Sequence, residues 1–130
     1  MLHVYISGQI RNKRKVEEFC YNCLEHFFKG RLKRNIDIDI RISKTLDGNV
    51  AGGCYGDHSH VVVEIAKGDN LLEQFNPYEY KEIIVTLAHE LVHAKQYIRK
   101  EPTQIEESEV EAYNLEYSLY DLYWGSKTKF

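Results

Sequence analysis

The segment Ile36-Asp37-Ile38-Asp39-Ile40-Arg41-Ile42 alternates without interruption between isoleucine and a charged side chain. Side chains along a strand point alternately to its two faces. These residues therefore predict a strand with its isoleucines turned into a core and its charges turned to water. Other segments have to cover that apolar face. Leu2–Ile6 is short, apolar and β-branched and is broken by Gly8, which predicts a strand, and Val61–Ile65 predicts another. Asn12–Lys29 carries Val16, Phe19, Cys20, Cys23, Leu24, Phe27 and Phe28 at spacings of three and four, one face of an amphipathic helix with Gly30 as its C-terminal cap. Asp47–Asp57 is rich in glycine but lacks the Lys-Ser/Thr ending of a phosphate-binding loop, and it reads as a flexible turn. Asn76-Pro77-Tyr78-Glu79 signals the start of a helix that runs to about Arg99 and stops before Pro102. Thr103-Gln104-Ile105-Glu106 opens another, through about Tyr123, with Gly125 beyond it. The order predicts an α+β domain: a small, mostly antiparallel sheet packed with an N-terminal helix, a central helix and a C-terminal helix.

At 130 residues the chain reads as a single domain, 1–130, with one hydrophobic core and no room for a separate recognition domain. The formal net charge of -3 argues for neither an acidic nor a basic partner. Lys and Arg gather at Arg11–Lys15 and Arg31–Arg34, which read as solvated helix ends and turns rather than as a nucleic-acid surface. Cys20 and Cys23 have the spacing of half a zinc knuckle or of a redox pair. Both fall on the apolar helical stripe, which makes them small core residues. A sparse, odd set of cysteines suits a reducing compartment. Met1–Ser7 lacks the basic region and long apolar run of a signal peptide, and no segment reaches membrane-spanning length. The expectation is a cytoplasmic protein with no membrane partner.

On the central helix, His89-Glu90-Leu91-Val92-His93 has the form HExxH. Residues four apart lie on one helical face about a turn from each other, so His89 and His93 can aim ring nitrogens at one Zn²⁺. Glu90 sits a quarter-turn round, close enough to take a proton from a metal-bound water without ligating. Ile83, Ile84, Leu87, Leu91, Ala94 and Ile98 form an apolar face opposite the histidines, and Val85, Thr86 and Val92 leave the histidine side uncharged. Such a helix is buried on both sides. A third ligand is expected from the C-terminal helix. Helical winding puts Ile105, Ala112, Leu115, Leu119 and Leu122 on its buried face, with Glu109 and Glu111 at the two edges. Glu109, in line with Ala112, Tyr113 and Glu116, is the first choice and Glu111 the reserve. Glu106 and Glu107 are first-turn charges.

Thr86-Leu87-Ala88-His89-Glu90-Leu91-Val92-His93, followed by Glu109-Val110-Glu111-Ala112, resembles the gluzincin branch of zinc metallopeptidases, in which HExxH is completed by a glutamate on a later helix. The short spacing is most similar to compact phage-type, ImmA/IrrE-like or SprT-like metallopeptidases. The resemblance covers about the last third of the chain. It implies a minimal zincin-like fold with one zinc per chain. His89, His93 and Glu109 would be the ligands, Glu90 the general base, and a protein or peptide the substrate. It also implies an edge strand that pairs with an extended peptide, for which Val61–Ile65 is the candidate. A further donor would stabilise the oxyanion, with Tyr97, Tyr113, Tyr120, His58 and His60 as candidates. Two positions depart from the pattern: Lys95 stands where an apolar residue is preferred, and Tyr113 where several relatives place Asp or Asn. Cys54 lies in the glycine-rich segment, where a thiolate could fall on the metal or the residue could be an ordinary thiol. Against peptidase chemistry stand a non-catalytic zinc-stabilised interaction domain, to which the tyrosine-rich C-terminal helix would lend a surface, and a metal-free interaction protein.

Overall fold

The computed structural model describes residues 1–68, 77–101 and 104–125, and of 77–79 the backbone alone. The elements follow the order β1 (Leu2–Ser7), α1 (Lys13–Phe28), β2 (Ile36–Ser43), β3 (Gly52–Gly56), β4 (His60–Ala66), α2 (Pro77–Ile98) and α3 (Ile105–Tyr123), with a short 3₁₀ turn at Asp47–Asn49. The helix-start residues Asn76 and Thr103, and Pro102, lie outside the described residues.

The fold is α+β, and its sheet is mixed rather than mostly antiparallel. The strand order is β1-β2-β4-β3, with β1–β2 and β2–β4 parallel and only β3–β4 antiparallel. The connection through α1 explains the difference, because a strand–helix–strand unit returns the chain in its starting direction. The glycine-rich stretch is also more than a turn: Gly52–Gly56 forms β3, in register with Val61–Ile65. Consequently β4 is internal, paired on both sides, and the edge strand beside α2 is β3. Apolar residues at 61, 62 and 63 in succession fit such a central strand.

Ile36, Ile38, Ile40 and Ile42 of β2 are buried, while Asp37 and Arg41 on the other face are exposed. Each buried isoleucine contributes about 1.5–3 kcal/mol of transfer free energy. α1 packs on β1, α2 packs on β3 and β4, and the two helices pack on each other. Val16, Phe19, Cys20, Cys23, Leu24 and Phe28 of α1 are buried, so both cysteines belong to the core. Burial pushes both thiols above their ordinary range.

α3 lies outermost, on α2 and α1. Its buried face is narrower than winding predicts: Ala112 and Leu119 are buried, but Ile105 is 83% exposed and Leu122 52% exposed. A helix packed chiefly on other helices buries the stripe at their contact, and residues at its ends overshoot that contact. No helix of the described residues is long and apolar enough to cross a membrane.

Candidate metal centre

The centre is made where α2 and α3 meet beneath β3. α2 is clad on both sides, as its sequence predicts: Ile84, Leu87, Leu91, Ala94 and Ile98 enter the core. His89 and Glu90 are themselves buried, although they are polar. A buried polar group is costly unless it is partnered. The partners come from α3, which Ala112, with no side-chain bulk and no exposure, allows close to α2.

One ligand atom each from His89, His93 and Glu109 lies within 4.8 Å of the others, so the group could hold a metal ion. Glu109 reaches both rings, with carboxylate oxygens 3.1 Å from His89 Nε2 and 2.9 Å from His93 Nε2. The two Nε2 atoms are 3.3 Å apart. Glu111, the reserve for the third position, faces the other way and accepts from Lys95 Nζ at 2.7 and 2.8 Å. Lys95, only 3% exposed, also lies 3.0 Å from a Glu101 oxygen. The lysine that departs from the zincin pattern is thus a buried ion-pair partner of α3.

Each ring is held from behind. His89 Nδ1 is 2.8 Å from Glu116 Oε2, and His93 Nδ1 is 2.8 Å from Gln96 Oε1. Carboxylates lie at both nitrogens of His89, Glu116 at Nδ1 and Glu109 at Nε2, so a cation taking the place of hydrogen at Nε2 would leave Nδ1 donating to Glu116. Sequence reasoning assigned neither supporting residue a role. The signal was present in the spacing: Glu116 stands two turns after Glu109 on the same face, and Gln96 one turn after His93. Tyr113 carries no carboxylate and instead packs its ring on His89, with centroids 4.8 Å apart.

No family model, curated protein or solved structure matches this chain. What the site can do therefore rests on its own geometry.

Glu90 points under β3. A Cβ built on Gly52 would lie 3.1 Å from Glu90 Oε2, so glycine is what lets the strand pass over this carboxylate. Burial pushes the Glu90 carboxyl up to about 7. His93 opposes the rise, and the carboxylates of Glu109 and Glu116 add to it. Gly52, Glu90 and Glu109 are common to two clefts, one of about 490 Å³ extending past Cys54, Tyr97 and Lys100, the other of about 340 Å³ extending past Thr86, Glu82 and Tyr113.

The oxyanion candidates separate. Tyr97 lines the larger cleft and Tyr113 the smaller. His60 lies on the open face of the sheet, paired with Asp39 at 2.7 Å, and His58 is in the β3–β4 turn. Tyr120 sits at the far end of α3 beside Lys81. Cys54 lines the larger cleft, but it is not among the three grouped ligands, and burial pushes its thiol up, with Glu90 adding to the rise.

Proposed function

We propose that this chain is a zinc-dependent peptidase of gluzincin type, cleaving a peptide laid along the β3 edge. The observation that carries the reading is the convergence of His89, His93 and Glu109 on one point, with the buried Glu90 carboxyl beside it. Two imidazoles and a carboxylate suit Zn²⁺, and a set of three protein ligands is the catalytic pattern, which leaves a position for water or substrate. Bound there, zinc would supply Lewis acidity, lowering the pKa of water toward about 7 and polarising a carbonyl.

The chain's own residues account for the remainder. Glu90 accepts a proton from the attacking water as the new C–O bond forms. It then returns that proton to the amide nitrogen as the C–N bond breaks, and ends the cycle unchanged. β3 offers backbone hydrogen-bonding groups on its outer side, and the clefts at the two ends of its crossing would take side chains on either side of the scissile bond.

The test is metal analysis combined with Glu90→Gln. One zinc per chain is expected in both proteins, with peptide hydrolysis reduced by about 100- to 10,000-fold in the variant. A non-catalytic zinc domain predicts the same metal content and no activity for the substitution to remove. Absence of zinc would sink both readings.

A further inference from the structure

Gln96 occupies a position that constrains where His93 carries its hydrogen. Its side chain is buried between the two helices that supply the ligands and makes three hydrogen bonds. Gln96 Nε2 donates to the carbonyl oxygen of Ser108 at 3.1 Å and to Glu111 Oε1 at 2.8 Å, leaving Oε1 at 2.8 Å from His93 Nδ1. The orientation of the amide follows from chemistry alone. A backbone carbonyl can only accept, and the Glu111 carboxylate is paired with Lys95. Both require the NH₂ end of the amide. Turning the amide over would set oxygen against two acceptors. Oε1 must therefore face His93, and an amide oxygen can only accept, so the hydrogen belongs on Nδ1.

The same three bonds also locate the third ligand. Ser108 and Glu111 flank Glu109 on α3, one immediately before it and the other two residues after it. A single side chain on α2, one turn beyond His93, thus holds the segment of α3 that presents Glu109. Lys95 reinforces the joint by fixing Glu111 from the opposite side, at the point where its sequence departs from an apolar pattern.

We infer that Gln96 is the positioning residue of this centre: it sets the Nδ1–H tautomer of His93, so that Nε2 presents a lone pair, and it fixes Glu109 opposite that lone pair. The inference rests on the metal-centre reading above, but its first consequence is visible without metal. Outer partners of this kind change metal affinity by about 10–100-fold.

The experiment uses the full chain, zinc as the probe and two variants. Long-range ¹H–¹⁵N spectra of the metal-free wild-type protein, at a pH where the ring is neutral, report which nitrogen of His93 bears hydrogen. Nδ1–H is expected, even though Glu109 lies 2.9 Å from Nε2 and would draw the hydrogen there. In Gln96→Leu the acceptor is gone, so the hydrogen should move to Nε2, and zinc should bind about 10–100-fold more weakly in chelator competition. Gln96→Glu keeps an oxygen toward Nδ1 but sets its other oxygen against Ser108 and Glu111, so it should retain Nδ1–H while zinc still binds more weakly, because the segment that presents Glu109 is released. Hydrogen on Nε2 in the wild type overturns the inference. So does a Leu variant with unchanged tautomer and affinity, or a Glu variant in which the hydrogen leaves Nδ1, which would make Gln96 a packing residue. Failure of the wild type to take up zinc would instead overturn the metal-centre reading, and the spectra of the metal-free protein tell these failures apart.

Discussion

Gly52 is the residue at which the strand and the chemistry touch. A Cβ there would lie 2.9 Å from Thr86 Cγ2 and 3.1 Å from both the Glu64 carbonyl oxygen and Glu90 Oε2. The carbonyl belongs to the β3–β4 ladder, so the Thr86 methyl and the Glu90 carboxylate must give way. Gly52→Ala is therefore expected to displace Glu90 by a few tenths of an ångström and to lower kcat by about 10-fold, short of the roughly 100-fold that a 1 Å misplacement costs. Zinc content should stay at one per chain. Steady-state kinetics beside metal analysis checks this, and an unchanged kcat would mean that the position of Glu90 is not what the reaction depends on. The role of Gly52 was not legible in the sequence, because a close approach leaves no pattern in the residue type. The spacing of His89, Glu90 and His93 was legible, since one helical turn brings the histidines to one face. The choice between Glu109 and Glu111 was legible only as two edges of one stripe. What separates them physically is that Lys95 and Gln96 occupy the Glu111 carboxylate, which leaves Glu109 to face the two Nε2 atoms.

Among the elements, β3 is the one that alternation could not reveal. Three of its five residues are glycine, so it has no binary pattern to read, and its existence depends on β4 offering it a partner. β2 and α1 were legible because their side chains repeat with the strand and helix periods. The β3–β4 connection is held by Asp57, whose Oδ1 accepts from Ser59 N at 2.8 Å, His60 N at 2.9 Å and Ser59 Oγ at 3.0 Å. Gly56, at φ 141°, precedes it in a conformation that other residues rarely adopt. The bonds from Ser59 N and His60 N hold the Asp57 carboxyl at about 2, below its ordinary 3.8. A carboxyl lowered by folding lends its full support above the ordinary value and loses it as pH falls through about 2. Asp57→Ala is expected to raise amide exchange through Gly52–Gly56 and His60–Ala66 at neutral pH. The gap between variant and wild type should close as pH is lowered from about 4 to about 2. A pH-independent gap would assign the effect to turn propensity rather than to the ionised carboxylate.

Across the whole molecule, attachment is uneven. The sheet, α1 and α2 share a core of isoleucine, valine, leucine and phenylalanine, whereas α3 commits only Ala112 and Leu119 fully to it. Polar joints hold α3 in place: Glu109 to His89 and His93, Glu116 to His89, and Glu111 to Lys95. Two of these run through the histidines, whereas Gln96 and Lys95 hold Ser108 and Glu111 without them. Without a cation, Glu109 and two ring nitrogens crowd one point, so that joint is weak unless a proton or a metal occupies it. Zinc should then stabilise the fold by linkage, by about 4 kcal/mol at free metal 1,000 times Kd, which for a chain of this size raises Tm by roughly 10–20 °C. The gain should not be uniform. Hydrogen exchange of chelator-stripped protein is expected to show protection falling first and furthest in Ile105–Tyr123, while β2, β4 and the buried turns of α2 keep most of theirs. Equal loss throughout the chain would make the metal a global staple, and no loss in α3 would show that its packing alone holds it. Loosening confined to α3 would give the molecule a sheet-and-helix platform that is folded before metal arrives, with the third ligand delivered as the last helix docks.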